Sequence, residues 1–139
     1  MRYFRWVSTN PGTTRAELFA AYESTLVQAF QPGGTWVDPR SACFERGHGG
    51  YVMTAWNPGF DRPTATENAA ANLRMHTELE IAGYEVWPCD GASPDGTFAE
   101  PGFLVWGMPR AEALEVARRY RQFAIYEYDE GGVRSVIPC

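Results

Sequence analysis

The sequence predicts an α+β domain of the ferredoxin-like class. Between residues 51 and 128 the residue pattern follows the order strand, helix, strand, strand, helix, strand, which is the split β-α-β core of ferredoxin-like folds. The length of 139 residues fits a single domain that covers residues 1–139. We therefore expect helices on one face of a largely antiparallel sheet, with an N-terminal helix and a C-terminal hairpin strand added to the core. An irregular mixed sheet that uses residues 35–46 as a meander is the alternative.

The N-terminal part predicts one helix and two short strands. Thr14 and Glu17 have the spacing of a capping box, which begins a helix. Four apolar residues follow at four-residue spacing, so the helix is expected to continue until residues 31–34: Leu18, Tyr22, Leu26 and Phe30. Short strands are expected at residues 35–37 and 42–44, interrupted by residues 38–40.

The predicted core begins with a central strand. Residues 51–56 are rich in strand-forming side chains and end at Asn57-Pro58-Gly59, where proline and glycine favour a turn. A second capping box, at residues 64–67, begins a helix expected over residues 65–82. A strand is expected at residues 84–87, followed by a loop of turn-forming residues at 90–96.

The predicted core ends with a strand, a helix and a hairpin. The strand covers residues 103–106, and Pro101-Gly102 is expected to bulge or break its start. Pro109 begins the third helix, because proline is favoured in the first turn. The hairpin combines residues 123–128 with residues 133–137 across a turn rich in glycine.

The composition excludes several kinds of chemistry. All twelve cationic residues are arginines, so a Schiff-base lysine, a lysine general base and a Walker lysine are excluded. The net charge of -5 argues against a nucleic-acid partner, which requires clustered cations. The sequence has no apolar run long enough for a membrane span or a signal peptide, so we expect a cytoplasmic protein without a membrane partner. The spacing of the cysteines and histidines matches no zinc pattern, and we expect neither metal nor cofactor.

Five residues with polar or aromatic side chains occur where predicted elements begin or end. Trp56 and Asn57 end the central strand, and Asn68 lies in the first turn of the next helix. Glu100 begins a strand and Gln122 follows the third helix. Ligands collect at strand ends and helix N-termini, and amides donate and accept without titrating. Trp56 and the three amide residues therefore predict a binding site for a small polar ligand, with Glu100 as the candidate general base.

Three further residues are candidates for this chemistry. Arg62 and Arg74 flank the connection from Asn57 to Asn68 and are expected to hold an anionic group of the ligand. His48, in the glycine-rich residues 46–50, is a second candidate general base, although the sequence lacks the Gly-x-Ser-x-Gly motif that would support an esterase. In the alternative interpretation, the three amides only satisfy backbone groups at a turn and at helix ends.

Several of these residues also carry a resemblance to a known family. The strand end Thr-Ala-Trp-Asn-Pro at residues 54–58, Glu67-Asn68 and Leu73 on a helix, Glu100-Pro101, and residues 121–125 resemble a bacterial family catalogued as a domain of unknown function, the 3293 family. The resemblance extends from the first helix to the C-terminal hairpin, while the glycine-rich residues 46–50 depart from it. It implies a small standalone bacterial domain and no particular activity.

Two functions of different kinds follow from the sequence. In the first, the chain binds a small polar or anionic ligand at a pocket beside Trp56-Asn57-Pro58. The ligand is either only bound there or also transformed. In the second, it is an interaction or homodimerisation module that uses exposed aromatic residues such as Trp6, Trp36 or Trp106. The sequence identifies no reaction.

Overall fold

The described residues form a mixed α+β fold around an antiparallel sheet of seven strands. The structure is a computed structural model, and it describes Gly12 and residues 14–139. The α+β class predicted from the sequence is confirmed, with more strands than expected. In chain order the elements are α1 (Arg15–Ser24), β1 (Leu26–Gln31), β2 (Thr35–Val37), α2 (Pro39–Arg46), β3 (Gly50–Met53), α3 (Ala65–Ile81), β4 (Glu85–Ala92), β5 (Ala99–Trp106), α4 (Arg110–Arg119), β6 (Ala124–Tyr128) and β7 (Arg134–Pro138).

The strands are arranged in the order β2-β1-β4-β5-β3-β6-β7. The short strand β3 lies between β5 and β6, where Val52 is opposite both Leu104 and Tyr126. All four residues of β3 are buried, because both faces of the sheet are covered. Side chains alternate between the faces along each strand, so Val52 points to one helical layer and Tyr51 and Met53 point to the other.

Each face of the sheet packs against its own pair of helices. On one face, α3 and α4 pack Met75, Leu79 and Val116 against a cluster that includes Tyr51 and Phe103. On the other face, α1 and α2 contribute a second cluster. Its members include Tyr22, Cys43, Leu104 and Tyr126. Among the described helices, none has the length and apolar character needed to cross a membrane.

The first predicted helix is too long. It ends at Ser24, and Thr25 already has extended backbone angles. The segment Leu26–Gln31 is the strand β1, in which buried Val27 and Ala29 alternate with exposed neighbours. A spacing of four residues places side chains on the same face of a strand as well as of a helix, so the positions of Leu26 and Phe30 did not distinguish the two.

The predicted strand at residues 42–44 is wrong, because these residues belong to the helix α2. Asp38 caps this helix by accepting the Arg40 N–H at 2.9 Å, and Pro39 occupies its first turn. Gly47 ends it in the left-handed conformation, with φ of 66°. Asp-Pro is typical of an interruption between strands, but it is also a good N-terminal signal for a helix.

The strand β5 continues through Pro101 and Gly102, where a bulge or break was expected. The central strand β3 ends at Met53, which is opposite Phe103. Pro101 therefore pairs with β4 on one side and has no β3 residue on the other. A proline is tolerated in a strand at such a position because its missing N–H is not needed by a second neighbour.

Candidate functional site

Amide side chains hold the turn that leaves the central strand. Asn68 accepts the backbone N–H of Asn57 at 2.9 Å and donates its own amide to the Asn57 side-chain oxygen at 2.8 Å. Asn57 has φ of 48°, in the left-handed region that asparagine tolerates. Gln122 donates to the carbonyl of Trp56 at 3.2 Å. Trp56, Asn57, Asn68 and Gln122 therefore lie together. The amide groups of the three polar residues bond to each other and to the backbone of the turn, which agrees with the interpretation that they satisfy backbone groups.

Sequence reasoning missed Asn72, which completes this turn. Its Oδ1 accepts the backbone N–H of Ala55 at 2.8 Å, and its Nδ2 donates to the carbonyl of Pro101 at 3.1 Å. Thr54 donates its hydroxyl to the same carbonyl at 2.7 Å. Asn72 therefore joins α3, the end of β3 and the start of β5. The signal was available, because Asn68 and Asn72 continue the helical spacing of the buried residues of α3.

A cavity of about 80 Å³ lies beside this turn, between α1 and the sheet. Residues from β1, β3, β4, β5 and β6 form its walls. Most lining residues are apolar side chains, glycines or Cys89, and we name it the Glu100 cavity. Its polar lining residues are Tyr22, Thr25, Thr54, Glu100, Gln122 and Tyr126.

The alternation of β5 places Glu100 in this cavity. Glu100 is an even-numbered residue of the strand, like Leu104 and Trp106, so it points to the face that α1 and α2 cover. Within the described residues, its carboxylate makes no hydrogen bond and no ion pair. Burial raises the pKa of Glu100 to about 8, although the positive charge of Arg62 acts in the opposite direction. At neutral pH the carboxyl group is therefore mostly protonated.

Most polar groups around Glu100 already have partners. Tyr126 donates its hydroxyl to the backbone carbonyl of Tyr22 at 2.8 Å, and the two rings meet edge to face with centroids 5.8 Å apart. Thr25 donates to the Ala21 carbonyl at 2.8 Å. Burial, and to a smaller extent the charge of Glu100, raises the pKa of both tyrosines. Both phenols therefore stay neutral over the pH range in which Glu100 titrates.

The remaining predicted residues are divided between the cavity and more distant surfaces. Arg62 is exposed but close enough to lower the pKa of Glu100. Arg74 lies on the exposed surface of α3, beside Leu73 and Thr77. His48 precedes β3, whereas Glu100 lies beyond the other end of that strand, as the pairing of Gly50–Met53 with β5 shows. The two candidate general bases are therefore separated by more than roughly 10 Å along the sheet.

His48 lines a larger and more open depression of about 890 Å³ at the start of β3. The three acidic side chains there already have partners: Glu85 pairs with Arg46 at 3.0 Å, Glu127 pairs with Arg110 at 2.6 Å, and Asp129 accepts the backbone N–H groups of Gly131 and Val133, both at 2.9 Å. Within residues 14–139, no group of three or more His, Cys, Asp and Glu side chains could hold a metal ion. This depression lacks the unpaired carboxyl group that distinguishes the Glu100 cavity.

The aromatic residues proposed for an interaction surface differ in exposure. Trp36 is 50% exposed and meets Phe30 edge to face, with centroids 5.1 Å apart. Trp106 is 5% exposed, so the expectation that it forms a surface patch is wrong. It is buried because it belongs to the core that α2 covers. Trp6 lies outside the described residues.

Comparison with known proteins identifies one family. The family model described as "Protein of unknown function (DUF3293)" matches residues 53–125, which is more than half of the chain. The match covers the amide-held turn, α3, β4, β5, α4 and Glu100, and it is shorter than the resemblance noted in the sequence. Neither the curated proteins nor the solved structures contain a significant match. The chain therefore belongs to the DUF3293 family of proteins of unknown function.

Proposed function

We propose that this chain binds a small ligand in the Glu100 cavity, and that the ligand has an apolar body and one polar group that meets Glu100. The observation that carries the proposal is an unpartnered carboxyl group in the wall of an otherwise mostly apolar cavity. Glu100 is partly buried, and polar groups withdrawn from water usually have hydrogen-bond partners, because an unmade bond is costly in a medium of low polarity. A bound ligand would supply the missing partner.

The residues predicted from the sequence take different roles in this proposal. Asn57, Asn68 and Gln122 shape the turn beside the cavity, so the ligand lies next to Trp56-Asn57-Pro58 and not on it. Glu100 contacts the ligand directly. Arg62 is the cation that would meet an anionic group extending from the cavity. If the bound ligand is transformed, Glu100 is the group that transfers a proton, since a pKa near 8 suits acid and base roles at neutral pH.

A fragment screen by two-dimensional NMR tests this proposal. We expect small amphipathic fragments to shift the backbone amide signals of Thr25, Val27 and Gly91, which line the cavity. Replacing Glu100 with alanine should weaken these fragments about tenfold, because it removes their polar partner. Arg74→Ala, on the exposed surface of α3, is the matched control and should leave the affinities unchanged. Fragments that collect only at the depression around His48, or none at all, would overturn the proposal.

A second candidate function is self-association through the exposed pair formed by Trp36 and Phe30. It is favoured by their position on β1 and the short edge strand β2, where unpaired backbone groups and apolar surface occur together. Sedimentation velocity at roughly 10 to 300 µM total protein should then show a dimer that Trp36→Ala abolishes. A monomer at every concentration would eliminate this candidate.

We also propose a more specific fold assignment and location. The order β4-β5-β3-β6 in the sheet, with α3 and α4 on one face, supports a ferredoxin-like core to which α1, β1, β2, α2 and β7 are added. The Glu100 cavity then lies between the core and these additions.

Free, buried Cys43 and Cys89 support a reducing, cytoplasmic location. The use of arginine in place of lysine is consistent with a bacterial genome rich in G and C.

A further inference from the structure

We propose that the ligand of the Glu100 cavity is a small organic cation, an alkylamine whose ammonium group is held by the Glu100 carboxylate. This inference rests on the proposed function and specifies the ligand class for the same site. It is carried by the balance of hydrogen-bond donors and acceptors in the cavity wall, together with the aromatic rings and the distribution of charge around it.

The cavity wall offers acceptors for a ligand that donates hydrogen bonds. Thr25, Thr54 and Tyr126 already use their donors internally, on Ala21, Pro101 and Tyr22, and the Tyr22 hydroxyl is the one lining hydroxyl that donates to no acceptor within the described residues. Gln122 uses its Nε2 on the carbonyls of Trp56 and Tyr120, both at 3.2 Å. Within the described residues, the oxygens left without a partner include the Gln122 Oε1 and the ionised Glu100 carboxylate. An ammonium group has N–H donors for both.

The charges around the cavity favour a cation over an anion. Among the described lining residues there is no arginine and no histidine, so an anion inside the cavity would face Glu100 directly, while Arg62, which also acts on Glu100, lies outside the lining. The aromatic rings of Tyr22 and Tyr126 also line the cavity, and the negative face of such a ring attracts cations. One face of the Tyr126 ring already has such a cation, because the Arg134 guanidinium lies 4.8 Å from the ring centroid while the carbonyls of Glu23 and Thr25 hold it there.

Binding of an alkylammonium ion requires one proton to leave Glu100. The O–H bond of the protonated carboxyl group breaks, the proton passes to the buffer, and an N–H of the ammonium then donates to the carboxylate. The other groups that face Glu100 keep their charge in this range. Tyr22, Tyr126 and Cys89 have raised pKa values because they are buried, and the guanidinium group of Arg62 is charged at these pH values. Affinity for the amine should therefore rise with pH until Glu100 is ionised.

Three probes of similar skeleton and different charge test the inference: isobutylamine, isobutanol and isobutyrate. Binding is measured from the amide signals of Thr25 and Gly91 at pH 7.5. We expect isobutylamine to bind about tenfold more tightly than isobutanol, and isobutyrate to produce no shift, because a hydrogen bond to a charged partner is the stronger one. Between pH 6 and pH 8 the affinity for isobutylamine should rise at least about tenfold, as proton competition at Glu100 decreases.

Variants separate the role of Glu100 from general charge effects. Glu100→Gln should abolish the preference for isobutylamine while isobutanol still binds. Glu115→Gln makes the same charge change on an exposed side chain of α4 and should leave the preference intact. Equal binding of amine and alcohol by the natural chain, or an unchanged amine affinity in Glu100→Gln, would refute the cation as ligand but not the cavity as binding site. If none of the three probes shifts the cavity signals, the proposed function itself fails.

Discussion

Replacing Glu100 with glutamine is expected to stabilise the folded protein by about 4 kcal/mol at pH 9, and by little at pH 5. The cause is the cost of holding an ionised carboxylate in a cavity where it has no hydrogen bond within the described residues. Burial raises its pKa to about 8 from an ordinary value of 4.5. Glutamine has the same shape and carries no charge, so it avoids this cost at every pH.

The pH dependence has a definite sign. Between pH 4.5 and pH 8 the folded protein binds more protons at Glu100 than the unfolded chain does. The contribution of this group to the free energy of unfolding is therefore complete below pH 4.5, decreases as the pH rises, and is lost above pH 8. Glutamine does not titrate, so the Glu100→Gln variant lacks this pH dependence, and its stability advantage over the natural chain should grow through that interval and then remain constant.

Urea denaturation of both proteins at pH 5, 7 and 9 measures the effect. The difference between the two free energies of unfolding cancels the titration of the groups that they share. Glu115→Gln is the control, because Glu115 is exposed and its pairing with Arg119 on the surface of α4 contributes little. If the difference between Glu100→Gln and the natural chain is the same at all three pH values, Glu100 has an ordinary pKa and the cavity is wetter than its lining residues suggest.

The parts of the fold that the sequence predicted well are those with local signals. Thr64 and Glu67 form the capping box of α3 as expected, and the helix ends at Ile81, one residue before the predicted end. The hairpin of β6 and β7 depends on a short glycine-rich turn, which is equally local. The sequence does not predict the strand β1, because the spacing of its apolar residues fits a helix as well as a strand. The pairing of Ala29 with Val37 on one side and Cys89 on the other makes this segment a strand.

The site was predictable only in part, for a related reason. The sequence predicts Glu100 as a carboxylate at the start of a strand and the amides near Asn57 at the ends of elements. The cavity itself depends on Tyr22 and Tyr126, which are far apart in sequence and meet because α1 packs across β6. The alternation of β1 places Val27 in the same wall, and a helix at this segment would not predict that position.

Replacing Asn72 with alanine is expected to destabilise the protein by about 3 kcal/mol. The substitution removes the acceptor for the buried N–H of Ala55 and the donor to the carbonyl of Pro101. The Ala55 N–H is then left without a partner in a region that excludes water, since Asn72 is 7% exposed and Ala55 is 1% exposed. The carbonyl of Pro101 keeps the hydroxyl of Thr54, so the larger part of the loss falls on Ala55.

The neighbouring substitution Leu73→Ala is the matched control for Asn72→Ala. It removes a larger side chain from the same turn of α3, but Leu73 is 64% exposed, so we expect a loss below about 1 kcal/mol. Hydrogen exchange adds a local measurement, because Asn72→Ala should accelerate exchange at Ala55 more than at the remote β6. Equal stability of the two variants would mean that Asn72 does not hold the turn. If Asn72 holds the turn, ligands of the Glu100 cavity should also bind more weakly to the Asn72→Ala variant. The reason is that Asn72 contacts Thr54, which lines that cavity.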